Sequence, residues 1–145
     1  MDTMGSRPTG TFLQVVAGLI QDESGRVLVG QRRPGTHMAG YWEFPGGKCC
    51  SGESPRQALD RELREELGIR VLSATFLTTL THSYPDRRVR LELWRVERYE
   101  GDPVSRENQP LSWSLPEELL ELPILPADAP FVRSLLAAQR PNKAV

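Results

Sequence analysis

The sequence GKCCSGESPRQALDRELREELGI, residues 47–69, joins a loop to a helix whose two ends are clearly marked. Ser54 can cap the helix, Pro55 suits its first position, and Gly68 follows its last turn. This punctuation predicts one helix between Pro55 and Gly68, with a core-facing stripe of leucines at i, i+4 and i+8. The stripe consists of Leu59, Leu63 and Leu67.

Three glutamates project from one side of this predicted helix. At about 100° per residue, Glu65 lies roughly 300° and Glu66 roughly 40° from Glu62, beside the leucine stripe. One interpretation is a solvated face, in which Arg61 and Glu65 form a favourable i,i+4 pair. However, Glu62 repels both other glutamates, whereas a hard divalent cation needs several carboxylate oxygens close together. The helix alone leaves the solvated face and the metal site equally open.

The loop and the helix together match the pattern G-x5-E-x7-R-E-U-x-E-E-x-G-U, where U is aliphatic, at every fixed position. This pattern is the signature of the Nudix hydrolases. From about residue 15 to residue 136 the chain resembles the MutT-like members of that superfamily, through GQRRPGTHMAGYWEFPGGK, SYPDRRVRLELW and LPADAPF. The matching signature positions are Gly47, Glu53, Arg61, Glu62, Leu63, Glu65, Glu66, Gly68 and Ile69.

The resemblance implies both a fold and a reaction. The fold would be the Nudix α/β/α sandwich of the α/β class, a mixed β-sheet between helices. The reaction would be Mg²⁺-dependent hydrolysis of 8-oxo-dGTP, or of a related nucleoside triphosphate, to the monophosphate and pyrophosphate, with Mn²⁺ able to replace Mg²⁺. Such an enzyme would remove oxidised nucleotides from the pool. Unmodified dNTPs, ADP-ribose and dinucleoside polyphosphates stay open as substrates, and a non-catalytic nucleotide sensor would be expected to lose acids that are all present here.

Family members bind the catalytic metal through the glutamates of the signature, which implies Glu62, Glu65 and Glu66 here. A backbone carbonyl of the preceding glycine pair, at Gly46, and a loop glutamate, Glu107 in SRENQP, would complete the set. The general base could be Glu107, Glu62 or Glu66, and Glu107 could instead be an ordinary exposed loop acid. By the same resemblance, the structural members of the signature are Gly47, Gly68 and an ion pair between Glu53 and Arg61.

Candidate substrate contacts lie before and after the signature. Arg33 and Lys48 could contact phosphates or base, or could be solvated cations. Phe44 and Tyr84 resemble the aromatic residues of a base pocket, although plain core packing explains them equally well. The family pattern P-A-N reads P-A-D here, so that Asp128 replaces an asparagine that hydrogen-bonds the oxidised guanine. An ionised aspartate only accepts hydrogen bonds, and Asp128 could also cap the last helix.

Alternating and β-branched segments predict strands around the signature helix. We expect residues 11–20 to turn at QDESG into residues 26–31 as a hairpin partner, and residues 71–84 to pair with residues 88–99. Shorter elements complete the domain. They are strands at 41–44 and 111–115, and helices at 116–122 and 129–139.

Composition predicts one ordinary soluble domain. The chain has 145 residues and a net charge of −1, which gives no electrostatic footprint for a nucleic-acid polymer or an anionic membrane. The N-terminal MDTMGSRPTG lacks the apolar core of a signal peptide, and no apolar run is long enough to span a bilayer. We therefore expect a cytoplasmic monomer with a leader at 1–10, a single Nudix domain at 11–140, a tail at 141–145, and free thiols at Cys49 and Cys50.

Overall fold

The structure is a computed structural model that describes residues 12–139. Its signature helix α1 spans Pro55–Leu67, and both ends are capped as the sequence predicts. The Ser54 hydroxyl accepts a hydrogen bond from Gln57 N–H at 3.1 Å, and the Gln57 side chain accepts one from Ser54 N–H at 2.9 Å. Gly68 ends the helix in the left-handed conformation, at φ 73°, which a residue without a Cβ adopts readily.

The chain contributes its strands to two sheets. In chain order the strands are β1 (Leu13–Leu19), β2 (Val27–Gln31), β3 (Trp42–Glu43), β4 (Gly46–Lys48), β5 (Arg70–Tyr84), β6 (Arg87–Glu100) and β7 (Leu111–Ser114). The first sheet is mixed and has the order β4–β1–β6–β5, with β1 parallel to β6 and the other neighbours antiparallel. The second is antiparallel, with the order β3–β2–β7. Two further helices follow, α2 (Pro116–Leu119) and α3 (Ala129–Gln139).

The mixed sheet separates two apolar layers. In one layer, Leu59 of α1 packs with Val16 of β1 and Val96 of β6, and all three are buried. In the other layer, Leu93 of β6 packs with Val132 of α3. A mixed sheet covered by helices on both faces confirms the predicted α/β/α sandwich.

The predicted hairpin between the first two strands is wrong. Its turn does form, because Asp22 Oδ1 accepts hydrogen bonds from Ser24 N–H and Arg26 N–H at 2.9 Å, and one bridge joins Gln21 to Val27. Beyond that bridge, β1 and β2 enter different sheets. Since β1 has β4 and β6 on its two edges and β2 has β3 and β7, neither strand offers the other a free edge.

The remaining elements agree more closely with their predictions. The long hairpin of β5 and β6 forms, and α3 has the predicted bounds. The predicted helix at 116–122 ends earlier, after Leu119. Cys49 and Cys50 are free thiols, as expected.

Predictions for the two ends of the chain concern residues that the structure does not describe. The leader at 1–10 and the tail at 141–145 lie outside the described residues, and the domain boundaries stay a prediction. Within residues 12–139, none of the helices is long and apolar enough to cross a membrane.

Candidate metal and nucleotide site

The loop between β4 and α1 is braced onto the helix by Arg61. Its Nε donates to Glu53 Oε2 at 2.5 Å, and its Nη2 donates to Glu53 Oε1 at 3.1 Å and to the Lys48 carbonyl at 2.9 Å. Glu53 Oε1 also accepts the Cys50 N–H at 2.9 Å. These hydrogen bonds, with those from Arg61 first, lower the pKa of Glu53 to about 2. Glu53 and Arg61 thus form the ion pair that the family resemblance implies.

Arg61 also holds two of the three helix glutamates. Its Nη1 lies 3.0 Å from Glu62 Oε2 and 3.2 Å from Glu65 Oε1. Glu62 lies against Gly47, where the Cβ of any other residue would overlap the Glu62 carboxylate. Glu65 has 52% of its side chain exposed. The glutamates of one helix side are therefore not equivalent, because Glu62 faces the loop and Glu65 faces solvent.

Glu66, the third helix glutamate, is partly buried. Burial, and after it the nearby charges of Glu43, Glu62 and Glu107, raise the pKa of Glu66 to about 9. The backbone of Gly46 lies close enough to the Glu66 carboxylate to lower its pKa, which offsets only part of that rise. Burial likewise raises the pKa of Glu62. Arg61 partly offsets this effect at Glu62, whereas, within residues 12–139, no cation is among the main influences on the pKa of Glu66.

A cleft beside the end of α1, called the acidic cleft below, brings four of the predicted residues together. The loop that carries Glu107 docks on the helix, where the Glu66 carbonyl accepts hydrogen bonds from Arg106 N–H at 2.9 Å and from Gln109 Nε2 at 3.3 Å. The predicted residues that line the acidic cleft are Arg33, Gly46, Glu66 and Glu107; Arg32, Glu43 and Gln109 line it as well.

The acids around the acidic cleft have the donor chemistry of a divalent-metal site. The charges of Glu43, Glu62 and Glu107 all act on Glu66, and a hard cation would remove that repulsion. Carboxylate and carbonyl oxygens are also the ligands that Mg²⁺ prefers. Within residues 12–139, no three acidic, histidine or cysteine side chains already meet as a metal site, and Arg61 occupies one oxygen of Glu62. The residues fit a divalent ion by donor type and by charge.

A second cavity, called the inner cavity below, adjoins the acidic cleft. Gly46, Arg32 and Glu43 line both, and Arg32 Nη1 lies 3.1 Å and 3.2 Å from the two carboxylate oxygens of Glu43. The two predicted cations are separated, since Lys48 lines the inner cavity and Arg33 lines the acidic cleft. The predicted residues around the inner cavity are Phe44, Gly46, Gly47, Lys48, Tyr84 and Asp128.

Asp128 lies on the wall of the inner cavity and is 4% exposed. Its Oδ2 accepts a hydrogen bond from the Phe44 N–H at 2.9 Å. Burial first, and then the charge of Glu43, raise the pKa of Asp128 to about 8. The predicted helix cap holds only for the backbone, because the Asp128 carbonyl accepts the Val132 N–H at 3.4 Å while the carboxylate bonds to Phe44.

The two aromatic candidates serve the core and the inner cavity together. Phe44 is buried and meets Phe131 edge-on, with ring centres 5.8 Å apart. The Tyr84 hydroxyl accepts the Ala127 N–H at 3.0 Å, and its ring meets His37 at 4.9 Å. Both interpretations made from the sequence are therefore compatible with the positions of these side chains.

Sequence reasoning missed several of the residues that line the two cavities, including four polar ones. Glu43 carried the only usable signal, because an acid between Trp42 and Phe44 in an apolar strand predicts a buried carboxylate that needs a partner. Its partner Arg32 lies 11 residues earlier in a loop, where no pattern links the two. His37 on the inner cavity and Gln109 on the acidic cleft were missed as well.

Comparison with known proteins gives consistent similarities. A profile of the NUDIX domain matches residues 16–134. The chain is 40% identical over 132 residues to the CTP pyrophosphohydrolase of Escherichia coli K12, covering 90% of this chain and 97% of that relative. It is 39% identical over 123 residues to the 8-oxo-dGTP diphosphatase of the same strain, covering 85% of this chain and 95% of that relative.

Solved structures resemble this fold as well. The solution structure of the E. coli ORF135 protein matches with a TM-score of 0.77 and 40% identity, covering 93% of this chain and 99% of that one. A MutT structure described for Aliivibrio salmonicida and Vibrio cholerae matches with a TM-score of 0.75 and 29% identity, covering 88% of this chain and 99% of that one.

Proposed function

The chain belongs to the NUDIX domain family and is a Nudix hydrolase, and on that premise we propose that it hydrolyses a nucleoside triphosphate to the monophosphate and pyrophosphate. The observation that supports this most is the adjacency of two cavities with different chemistry. The acidic cleft suits a metal and phosphates, the inner cavity suits a base, and Gly46 lines both. A triphosphate that spans Gly46 would place its reacting phosphates beside Glu66 and its base beside Asp128.

Nudix hydrolases generally need a divalent metal ion, and Mg²⁺, or Mn²⁺ in its place, is the ion proposed for this chain. When bound, such an ion neutralises phosphate charge and makes a coordinated water more acidic. The proposed ligands are Glu62, Glu65, Glu66, Glu107 and the Gly46 carbonyl.

Glutamate side chains would accept the proton of the attacking water, and cationic side chains would contact the substrate. Glu66, whose pKa is raised to about 9, must lose its proton before it can bind a cation or accept a proton from water. Glu107, Glu62 or Glu66 would take the proton of the attacking water. Arg33 would contact the phosphates, and Lys48, on the inner cavity, would contact the nucleoside end.

The proposed principal substrate is 8-oxo-dGTP, so that the enzyme would remove oxidised nucleotides from the nucleotide pool. It is supported by the relative of that activity at 39% identity and by the chemistry of Asp128. A protonated aspartic acid donates one hydrogen bond and accepts another, as asparagine does, and this combination suits the O6 and N7–H of 8-oxoguanine. The raised pKa of Asp128, about 8, favours the protonated form at neutral pH.

A second candidate substrate, CTP, is favoured if the Asp128 carboxylate is ionised when it contacts the base. A carboxylate accepts a hydrogen bond from the N4 amino group of cytosine, and it repels the O6 of a guanine. The relative named CTP pyrophosphohydrolase is 40% identical to this chain.

A substrate panel tests the proposal and separates the two candidates. Values of kcat/KM are measured with Mg²⁺ for 8-oxo-dGTP, dGTP, CTP, dCTP and ADP-ribose. We expect 8-oxo-dGTP to exceed dGTP by at least about tenfold, which corresponds to one well-made base contact. Comparable rates for these two would overturn the role in pool sanitation, and a preference for CTP would establish the second candidate. Turnover of ADP-ribose alone would overturn both.

The proposed enzyme acts as a cytoplasmic monomer on free nucleotides. Two unpaired thiols at Cys49 and Cys50 suit a reducing compartment. Sedimentation at micromolar concentration is expected to give the mass of one chain, and a stable dimer would contradict this.

A further inference from the structure

We propose that Gln109 is a positioning residue that fixes Glu107 beside Glu66 across the acidic cleft. This inference rests on the proposed catalytic role of Glu107 and adds a residue that acts only through it.

The Gln109 amide bridges the two glutamates through their backbones. Its Oε1 accepts the Glu107 N–H at 3.0 Å, and its Nε2 donates to the Glu66 carbonyl at 3.3 Å. Oε1 also accepts the Ser105 hydroxyl at 2.7 Å. One planar amide therefore joins the loop that carries Glu107 to the helix turn that carries Glu66.

The backbone of the loop is shaped so that this side chain can fold back. Asn108, between Glu107 and Gln109, has a left-handed backbone with φ 65°, which is uncommon for a residue other than glycine. That conformation reverses the chain locally, so that Gln109 contacts the amide of a residue only two positions before it. This left-handed turn is flanked by the hydrogen bonds that Gln109 makes with the Glu107 N–H and the Glu66 carbonyl.

The loop is anchored on carbonyl groups that the helix itself leaves without partners. The last carbonyls of α1 have no intrahelical donor, and the loop supplies them. The Leu67 carbonyl accepts the Val104 N–H at 3.0 Å, and the Glu66 carbonyl accepts the Arg106 N–H at 2.9 Å. These two backbone hydrogen bonds attach the loop to the helix. The Gln109 side chain then determines the position of Glu107 within the loop.

A positioning role and a merely structural role predict different results. If Gln109 only stabilises the loop, its loss lowers the melting temperature and changes kcat and KM together. If Gln109 places Glu107, its loss lowers kcat with little change in KM, and the effect disappears once Glu107 has no carboxylate to place.

The test is a double-mutant cycle of Gln109→Met and Glu107→Gln, with Ser105→Ala as the matched control. Methionine keeps the length of the side chain and removes its hydrogen bonds, whereas Ser105→Ala removes a bond to the same Oε1 without breaking the bridge. We expect Gln109→Met to lower kcat about tenfold, the value of roughly one hydrogen bond, and Ser105→Ala to stay within about twofold.

Two readouts do not depend on turnover. Hydrogen exchange of the Glu107 amide should accelerate in Gln109→Met and stay slow in Gln109→Glu, which keeps the acceptor oxygen. Calorimetry without nucleotide should show weaker Mg²⁺ binding in Gln109→Met. Unchanged exchange and unchanged Mg²⁺ affinity would overturn the inference.

The cycle distinguishes failure of this inference from failure of the proposed function. If Glu107→Gln lowers kcat but Gln109→Met does not, or if Gln109→Met costs the same in both backgrounds, the positioning role is wrong and Glu107 keeps its role. If Glu107→Gln retains full kcat, the proposed role of Glu107 is wrong and the inference falls with it.

Discussion

Asp128 and Phe44 are joined by a hydrogen bond that spans 84 positions of the sequence, from the Phe44 N–H to Asp128 Oδ2 at 2.9 Å. This contact ties the residue before α3 to the residue after β3 on the wall of the inner cavity. One neutral donor does not offset the burial of a full negative charge. Burial therefore raises the pKa of this carboxyl group, and the free energy of unfolding is expected to depend on its protonation.

Stability should fall with rising pH because of Asp128. Its pKa is raised from 3.8 to about 8, so that the folded state binds a proton that the unfolded state releases. The stabilisation is complete below pH 3.8 and is lost as pH rises through about 8, with a slope of at most about 1.4 kcal/mol per pH unit. The free energy of unfolding, measured by urea denaturation between pH 5 and 8, should fall clearly less steeply with pH in Asp128→Asn than in the parent.

The charged and polar groups around Asp128 are Glu43, Arg32 and Tyr84. All three are present in the parent and in Asp128→Asn, so they do not cause a difference between the two pH profiles. Glu66 adds a slope of the same sign, which Asp128→Asn leaves in place. Parallel pH profiles for the two proteins would show that Asp128 is ionised in the folded state.

Asp128→Asn should also change the choice of substrate. The amide keeps an oxygen for the Phe44 N–H and supplies a permanent donor, so that contacts to O6 no longer depend on protonation. We expect the ratio of kcat/KM for 8-oxo-dGTP to that for CTP to rise about tenfold. An unchanged ratio, with only the stability altered, would place Asp128 outside base recognition.

Local chemistry explains why the signature helix was predictable. Ser54, Pro55 and Gly68 act within one or two turns, so the caps follow from neighbours in the sequence. The first hairpin failed for the opposite reason. Its turn at Asp22 is local and forms, but the sheet that each strand joins depends on β6 and β7, which lie far along the chain.

Glu62 and Glu65 line neither of the two adjoining cavities, so only part of the predicted site residues converge there. Nine of the predicted site residues belong to one loop and helix, whose spacing sets their positions. The contacts that sequence reasoning missed are all between elements, such as the pair of Arg32 and Glu43 and the bond from Asp128 to Phe44. Only the packed fold brings such partners together.

Arg61→Lys should loosen the loop of the signature. One guanidinium contacts Glu53, Glu62, Glu65 and the Lys48 carbonyl, and an ammonium group cannot reproduce that fork. We expect the melting temperature to fall by about 5 °C and kcat to fall with it. The control is Arg64→Lys on the same helix. Its exposed i,i+4 pair should contribute little, and an equal loss there would contradict the bracing role.

Gly47→Ala should damage activity through Glu62. A Cβ at this position would overlap the Glu62 carboxylate, which must then leave its place between the loop and Arg61. We expect kcat/KM to fall at least tenfold while the far-ultraviolet circular dichroism is unchanged. The effect should vanish in a Glu62→Ala background, where the overlap is relieved. A further loss in that background would assign the damage to the backbone instead.

Glu66→Gln should separate stability from metal response. Because burial raises the pKa of Glu66 to about 9, its contribution to stability is complete below the usual pKa of 4.5 and largely lost by pH 8. Glutamine carries no charge, so the metal-free variant at pH 8 should be more stable than the parent, whose Glu66 takes up a proton on folding. Added Mg²⁺ should raise the melting temperature of the parent and not that of Glu66→Gln, which should also lack turnover.

The control is Glu121→Gln, an exposed loop change, which should keep both the Mg²⁺-dependent rise in melting temperature and turnover. A full Mg²⁺ response in Glu66→Gln would remove Glu66 from the metal site.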